Sequence, residues 1–173
     1  MTETAEYWIN TLRLVPHPEG GFFHEYYRST DVIPVEALPP RFGGPRPAST
    51  AIYFLLKGSQ YSALHRLHAD EAWHHYAGTS LTLHALHPDG HLAQVRLGRP
   101  GIGGGLPLAG VPAGCWFGAT VDDPASYVLG GCTVAPGFCR EDFELGDRAA
   151  LVARFPQHEA LIVRLTARPG GAQ

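Results

Sequence analysis

Hydrophobic residues alternate with a period of two along most of the chain and approach a period of 3.6 only near its two ends. Ala5, Trp8, Ile9 and Leu12 follow helical spacing, with Thr2 or Thr4 available as a cap and Pro16 and Pro18 as stops. GFFHEYYRS (21–29) then reads as a strand, rich in aromatic residues and preceded by glycine. Residues 31–47 carry five prolines and two glycines and read as a loop. From Ser49 the pattern is β almost without break: STAIYFLL (49–56), YSALHRL (61–67), EAWHHYA (71–77), SLTLHALH (80–87) and HLAQVRLG (91–98). Pro88-Asp89-Gly90 is a hairpin signal between the last two. Further strands are expected at 108–111, 115–121 and 126–134. DRAALVARFP (147–156) reads as a helix capped by Asp147 and stopped by Pro156, ALIVRLT (160–166) as the last strand, and RPGGAQ as a frayed tail. About nine to eleven strands, a helix near each end and no βαβ rhythm predict an all-β protein, a jelly roll or related barrel that removes exposed edges by closure.

Composition narrows this picture. A chain of 173 residues with 45% apolar content suits one domain spanning 1–173, its core at about 12–166. The 21 glycines and 15 prolines are spread between hydrophobic runs, as turns in a β protein would be. A net charge of −3 without any basic block argues against a nucleic-acid partner. No apolar run approaches the roughly 20 residues that span a bilayer, and the N-terminus lacks a signal-peptide pattern. A cytoplasmic location without membrane contact is the expectation. The three cysteines, Cys115, Cys132 and Cys139, have neither disulfide-framework nor zinc spacing and read as buried thiols. GIGGG (101–105) lacks the strand, helix and lysine that make a phosphate-binding loop.

One stretch concentrates chemistry: HRLHADEAWHHYAG (65–78) holds four histidines and two adjacent carboxylates. Strand alternation puts Glu71, Trp73 and His75 on one face and His65 with Leu67 on one face of the preceding strand. If both faces line a barrel interior, His65, Glu71 and His75 converge. Gly58, His65, Leu67, Glu71 and Gly78 resemble the first cupin motif, and Gly105, Pro112, Gly114 and Phe117 resemble the second, the leading glycine standing one residue too far away in each. The chain also resembles one uncharacterised cupin family, itself similar to dTDP-sugar epimerases. The resemblance rests on HPEGGFF (17–23), YRS (27–29), STAIYFLL (49–56), VPAGCWF (111–117), GCTVAPGF (131–138) and DFEL (142–145), and it runs from about residue 12 to about 156. One departure is Leu108 after Pro107, where that family has glutamine.

The resemblance implies a cupin double-stranded β-helix, a homodimer, and a pocket for a small, sugar-like or carbonyl-bearing molecule. Metal cupins use three histidines and a glutamate; the matching positions here hold His65, Leu67, Glu71 and Phe117. Leu and Phe cannot ligate a cation, so no cofactor is expected; a divalent metal, if bound, would fall to His65, Glu71 and His75. Metal-free chemistry would make His65 a general base, Glu71 its orienter and Tyr53 a candidate acid. Arg28 could bind a carboxylate or phosphate bidentately, or form a structural salt bridge. Trp73, Phe117 and Phe138 could stack on a ring or simply pack the core. The reading is thus a metal-independent isomerase or epimerase. The alternatives are a non-catalytic small-molecule binder and a metal-dependent cupin with a reduced ligand set.

Overall fold

Thirteen strands form the bulk of the computed structural model, which describes residues 3–101 and 104–166. They are β1 (Val15–Pro16), β2 (Phe22–Arg28), β3 (Val32–Ile33), β4 (Arg46–Pro47), β5 (Thr50–Lys57), β6 (Tyr61–Leu67), β7 (Asp70–Gly78), β8 (Leu81–Leu86), β9 (Leu92–Leu97), β10 (Leu108–Val111), β11 (Trp116–Val121), β12 (Tyr127–Ala135) and β13 (Phe143–Leu145). A six-stranded sheet runs β1-β2-β5-β12-β7-β10 and a five-stranded sheet runs β13-β6-β11-β8-β9. Every pairing within them is antiparallel. This is the all-β jelly roll expected from the alternating pattern.

The alternation decides which side chains meet. Phe54, Leu56, Trp73 and Cys132 of the first sheet face Leu67, Leu83, Phe117 and Ala119 of the second in one central core. Each of the larger of these, once buried, contributes roughly 1.5–3 kcal/mol of transfer free energy. The opposite faces need cover of their own. Helix α1 (Ala5–Thr11), capped by Thr4 as expected, packs on Leu55 and Leu129 outside the six-stranded sheet. Helices α2 (Arg148–Arg154) and α3 (Glu159–Leu165) cover Leu64, Leu86 and Trp116 outside the five-stranded sheet.

Helix α3 corrects one expectation, because 160–166 was to be a strand. The run is apolar enough for either, but Ile162 and Leu165 are the two fully buried positions and stand three apart. They share one helical face against Leu64 and Trp116, so packing overrides β propensity. The expected tail at 168–173 lies outside the described residues.

The 31–47 segment is ordered by two buried anchors. Phe42 plugs the central core, and Arg46 forms a bidentate ion pair with Asp142, both bonds 2.6 Å long and both residues buried. β3 and β4 close it as a short ribbon.

Candidate functional site

A cavity of about 90 Å³ opens between the sheets at the end of the barrel where β6 and β7 meet the turn before β2. Its polar lining is His17, Glu19, Glu25, His65, Glu71 and Cys132 together with Thr50. Phe23, Ile52, Leu67, Val134, Phe138 and Phe143 supply the apolar walls. That volume lies well below the roughly 300–1,000 Å³ of cofactor-sized pockets, so it suits a small molecule or the reacting end of a larger one.

The turn HPEGG (17–21) builds the acidic side. His17 N–H donates to the Gly21 carbonyl and Gly20 N–H to that of His17, folding the chain back on itself. Gly20 has φ +110°, and a Cβ there would stand 2.3 Å from the Tyr61 carbonyl oxygen. Only glycine permits this close docking of the turn on β6. The docked turn accepts Ala63 N–H on the Glu19 carbonyl, 2.8 Å. The Glu19 side chain is thereby carried inward, 7% exposed, to the imidazole of His65.

His65 is held from several directions. Its Nδ1 donates to the Ala63 carbonyl at 2.7 Å, and Glu19 Oε2 lies 2.5 Å from the same nitrogen but off the axis of that bond. The contact with Glu19 is therefore a close ion pair rather than a directed hydrogen bond. Both neighbours of Nδ1 are acceptors, so Nδ1 carries the proton and Nε2 faces away from Glu19. The ring is wedged between Phe117, centroids 4.1 Å apart, and Phe143 at 5.5 Å. Burial drives the imidazole toward neutrality, but the Glu19 carboxylate, with help from Glu71, outweighs it and raises the pKa above the usual value.

Glu71 is the opposite case. Burial pushes its carboxyl up to about 7, against the pull of the His65 charge, while Glu19 adds like-charge repulsion. The Cys132 thiol donates to it, and burial beside that carboxylate raises the thiol well above its ordinary range. His17 behaves differently again. Burial lowers its pKa, its Nδ1 accepts Glu19 N–H at 3.3 Å, and Glu19 Oε1 is 3.4 Å away. The result is a neutral imidazole bearing its proton on Nε2.

The sequence-derived candidates divide. His65, Glu71 and Phe138 all line the cavity, and Phe117 backs the His65 ring from the core. Trp73 is 2% exposed, packed edge-on against Phe54 at 5.5 Å, and belongs to the core. Tyr53 points to the other face of β5, where it meets Tyr26 and Tyr76 outside the barrel, and so it cannot serve as the acid. The reason is the period of two: Thr50, Ile52 and Phe54 take the inward positions. His75 does not converge with the others. It stands four residues along β7 from Glu71, about 13 Å at strand rise. Its Nε2 binds the Thr79 carbonyl, 3.0 Å, beside a bulge in the β7–β12 ladder. Arg28 sits at the rim, where its guanidinium grips both oxygens of Glu25 at 2.8 and 2.7 Å and the Phe138 carbonyl at 3.1 Å.

These positions also decide the metal question. Leu67 lines the cavity and Phe117 packs tilted against His65, so two of the four ligand positions implied by the cupin resemblance hold no donor. His75 is occupied elsewhere, and among the described residues no group of three or more His, Cys, Asp or Glu is placed to hold a metal ion. The residues present do not fit one. Sequence reasoning missed Glu19 and His17 as site residues. The paired glycines behind them were the available signal, since a double glycine after a charged residue marks a tight turn with close backbone approach.

Known proteins agree with the fold. No curated protein matches this sequence. A crystal structure of a protein from Shewanella oneidensis is 39% identical over 96% of this chain and 99% of its own, TM-score 0.84. A hypothetical protein from Leishmania major is also 39% identical, over 96% of this chain and 100% of its own, TM-score 0.87. Oxalate decarboxylase from Bacillus subtilis shares 14% identity with a TM-score of 0.53, covering 87% of this chain and 36% of its own, which is a likeness of fold alone. Among the described residues no helix is long and apolar enough to cross a membrane. Residues 6–146 match the family model described as Cupin superfamily (DUF985), and the chain belongs to that family.

Proposed function

We propose that this cupin binds a small carbonyl-bearing, sugar-like molecule in the cavity and moves a proton on it without a metal, as an isomerase or epimerase does. The observation that carries this reading is one buried cluster holding two groups of opposite use: Glu71, whose carboxyl is pushed up to about 7, and His65, whose cationic form the Glu19 carboxylate favours. A base titrating near the working pH is the most effective proton carrier. A fixed imidazolium stabilises the oxygen on which negative charge develops.

The roles differ from those first assigned. His65 was to be the base, with Glu71 orienting it. The Glu19 carboxylate favours the protonated ring, so Glu71 takes the proton instead. The C–H bond next to the carbonyl breaks, its electron pair moves into the new C=C bond, and charge gathers on the carbonyl oxygen facing His65. Return of the proton regenerates Glu71 with no net oxidation.

Incubation in D₂O with free and nucleotide-linked sugars, followed by NMR or mass spectrometry, tests this. Deuterium should enter at carbon next to the carbonyl, and Glu71→Gln should abolish the exchange. If compounds raise the melting temperature but none exchanges, the protein is a binder and the enzymatic reading fails.

A further inference from the structure

We infer that His17 is a second substrate-binding group, donating from Nε2–H to a hydroxyl oxygen next to the carbonyl, so that the substrates are uncharged α-hydroxy carbonyl compounds. This rests on the proposed proton transfer and adds the substrate class to it.

The argument begins with one carboxylate serving two imidazoles. Glu19 Oε2 faces Nδ1 of His65 and Oε1 faces Nδ1 of His17. Each ring turns its Nδ1 to Glu19 and its Nε2 to the far side, and both residues line the same cavity. His17 cannot rotate freely. Its ring stands edge-on between Phe23 at 4.5 Å and Phe54 at 5.7 Å, and Glu19 N–H occupies Nδ1. The tautomer is thereby set, and Nε2–H is a donor with no role in holding the turn.

The two donors are unequal in charge. The imidazolium of His65 suits the oxygen that becomes anionic, whereas the neutral N–H of His17 suits an oxygen that stays neutral. Two oxygens on adjacent carbons, one carbonyl and one hydroxyl, match that pair. Net charge argues in the same direction. Glu19 balances His65, and Arg28 is engaged by Glu25, so no unpaired cation in the lining awaits a carboxylate. Glu71 removes the proton from carbon, the electron pair passes to the carbonyl oxygen at His65, and reversal places a solvent-derived deuteron on the same carbon. Nothing is oxidised or reduced.

Glycolaldehyde and dihydroxyacetone, set against acetaldehyde and acetone, test this directly in D₂O. The unmodified protein should speed exchange of the hydroxylated pair at least about tenfold more than that of the matched controls. His17→Phe should erase that preference, and Glu71→Gln should abolish exchange altogether. Equal exchange of both pairs, still dependent on Glu71, would overturn the role of His17 and leave the proposed function standing. No exchange with any of the four would overturn the role of His17, and no exchange with the free and nucleotide-linked sugars either would overturn the proposed function with it. A measurement on the unmodified protein guards against a variant that fails to fold: ¹⁵N NMR at neutral pH should show His17 with Nδ1 unprotonated and Nε2 protonated. The reverse tautomer would sink the inference.

Discussion

Glu19 Oε2 lies 2.5 Å from Nδ1 of His65, and both side chains are buried. A turn contributes the acid and a barrel strand contributes the base, so one ion pair joins the N-terminal segment to the cavity. Glu19→Gln keeps the shape and removes the charge. His65 is then left chiefly with the burial that disfavours its cationic form, and its pKa should fall relative to the unmodified protein, which an imidazole NMR titration reads. The buried ring loses its partner, and unfolding by urea should show a loss of about 1–3 kcal/mol.

Glu71 makes stability depend on pH in a direction opposite to that of an ordinary salt-bridged carboxylate. Its carboxyl titrates near 4.5 when unfolded and about 7 in the fold. Between these values the native state holds a proton that the unfolded state has released. The stabilisation is therefore fully present below pH 4.5 and is lost as pH rises through about 7. His65, also raised, adds to the decline at higher pH. Glu71→Gln removes the ionisation, so melting curves from pH 5 to pH 9 should show the variant gaining on the unmodified protein as pH increases, by on the order of 1–3 kcal/mol above neutrality. A constant difference across that range would contradict the assigned burial of charge.

Leu67 stands on the cavity wall with His65 and Glu71, at a position where metal cupins carry histidine. Leu67→His adds the missing donor. The variant should bind Zn²⁺ or Mn²⁺ at least about tenfold more tightly than the unmodified protein in isothermal titration. Equal affinity in the two proteins would mean that Leu67 is not what keeps metal out.

The docking of the HPEGG turn is sterically exacting. Gly20→Ala forces a Cβ to 2.3 Å from the Tyr61 carbonyl oxygen at φ +110°. The turn must lift, taking Glu19 with it. Thermal unfolding should show a loss of at least about 1–3 kcal/mol, and the His65 pKa should move as it does in Glu19→Gln. If stability falls while the His65 titration is unchanged, the turn does not position the carboxylate.

Tyr53 is a control for the whole arrangement. It packs with Tyr26 and Tyr76 outside the six-stranded sheet. Tyr53→Phe should leave deuterium exchange within about twofold of the unmodified protein, because the hydroxyl touches nothing in the cavity. A large loss of exchange would place the reacting molecule on the other face of β5.

Much of this architecture could be read from residue order. Alternating apolar positions located nearly every long strand, because burial on one face of a pleated sheet imposes that period wherever it occurs. Asp147 and Thr4 marked their helices because cap chemistry is local. His65 and Glu71 were legible as site residues because they sit on consecutive strands, three residues before and two residues after the short turn at His68 and Ala69. The 160–166 segment was not legible. Its apolar run satisfies two periods, and the choice fell to the surface of Leu64 and Trp116 that it covers.

The inward or outward sense of each strand lies beyond local pattern as well. Tyr53 and Phe54 are neighbours with equal claims from the sequence, and sheet pairing alone sent one out and the other in. The partner of His65 shows the same limit. Sequence distance favours Glu71, yet Glu19, forty-six positions upstream of His65, makes the ion pair. Residue types and their spacing determined that this chain would be an all-β jelly roll or related barrel, because secondary structure and hydrophobic period depend on near neighbours, and the cupin resemblance added that two of four metal-ligand positions hold no donor. Which carboxylate is bound to the imidazole, which stays protonated near neutral pH and which histidine stays neutral were decided by tertiary structure, because those properties depend on burial and on charges brought together across the fold.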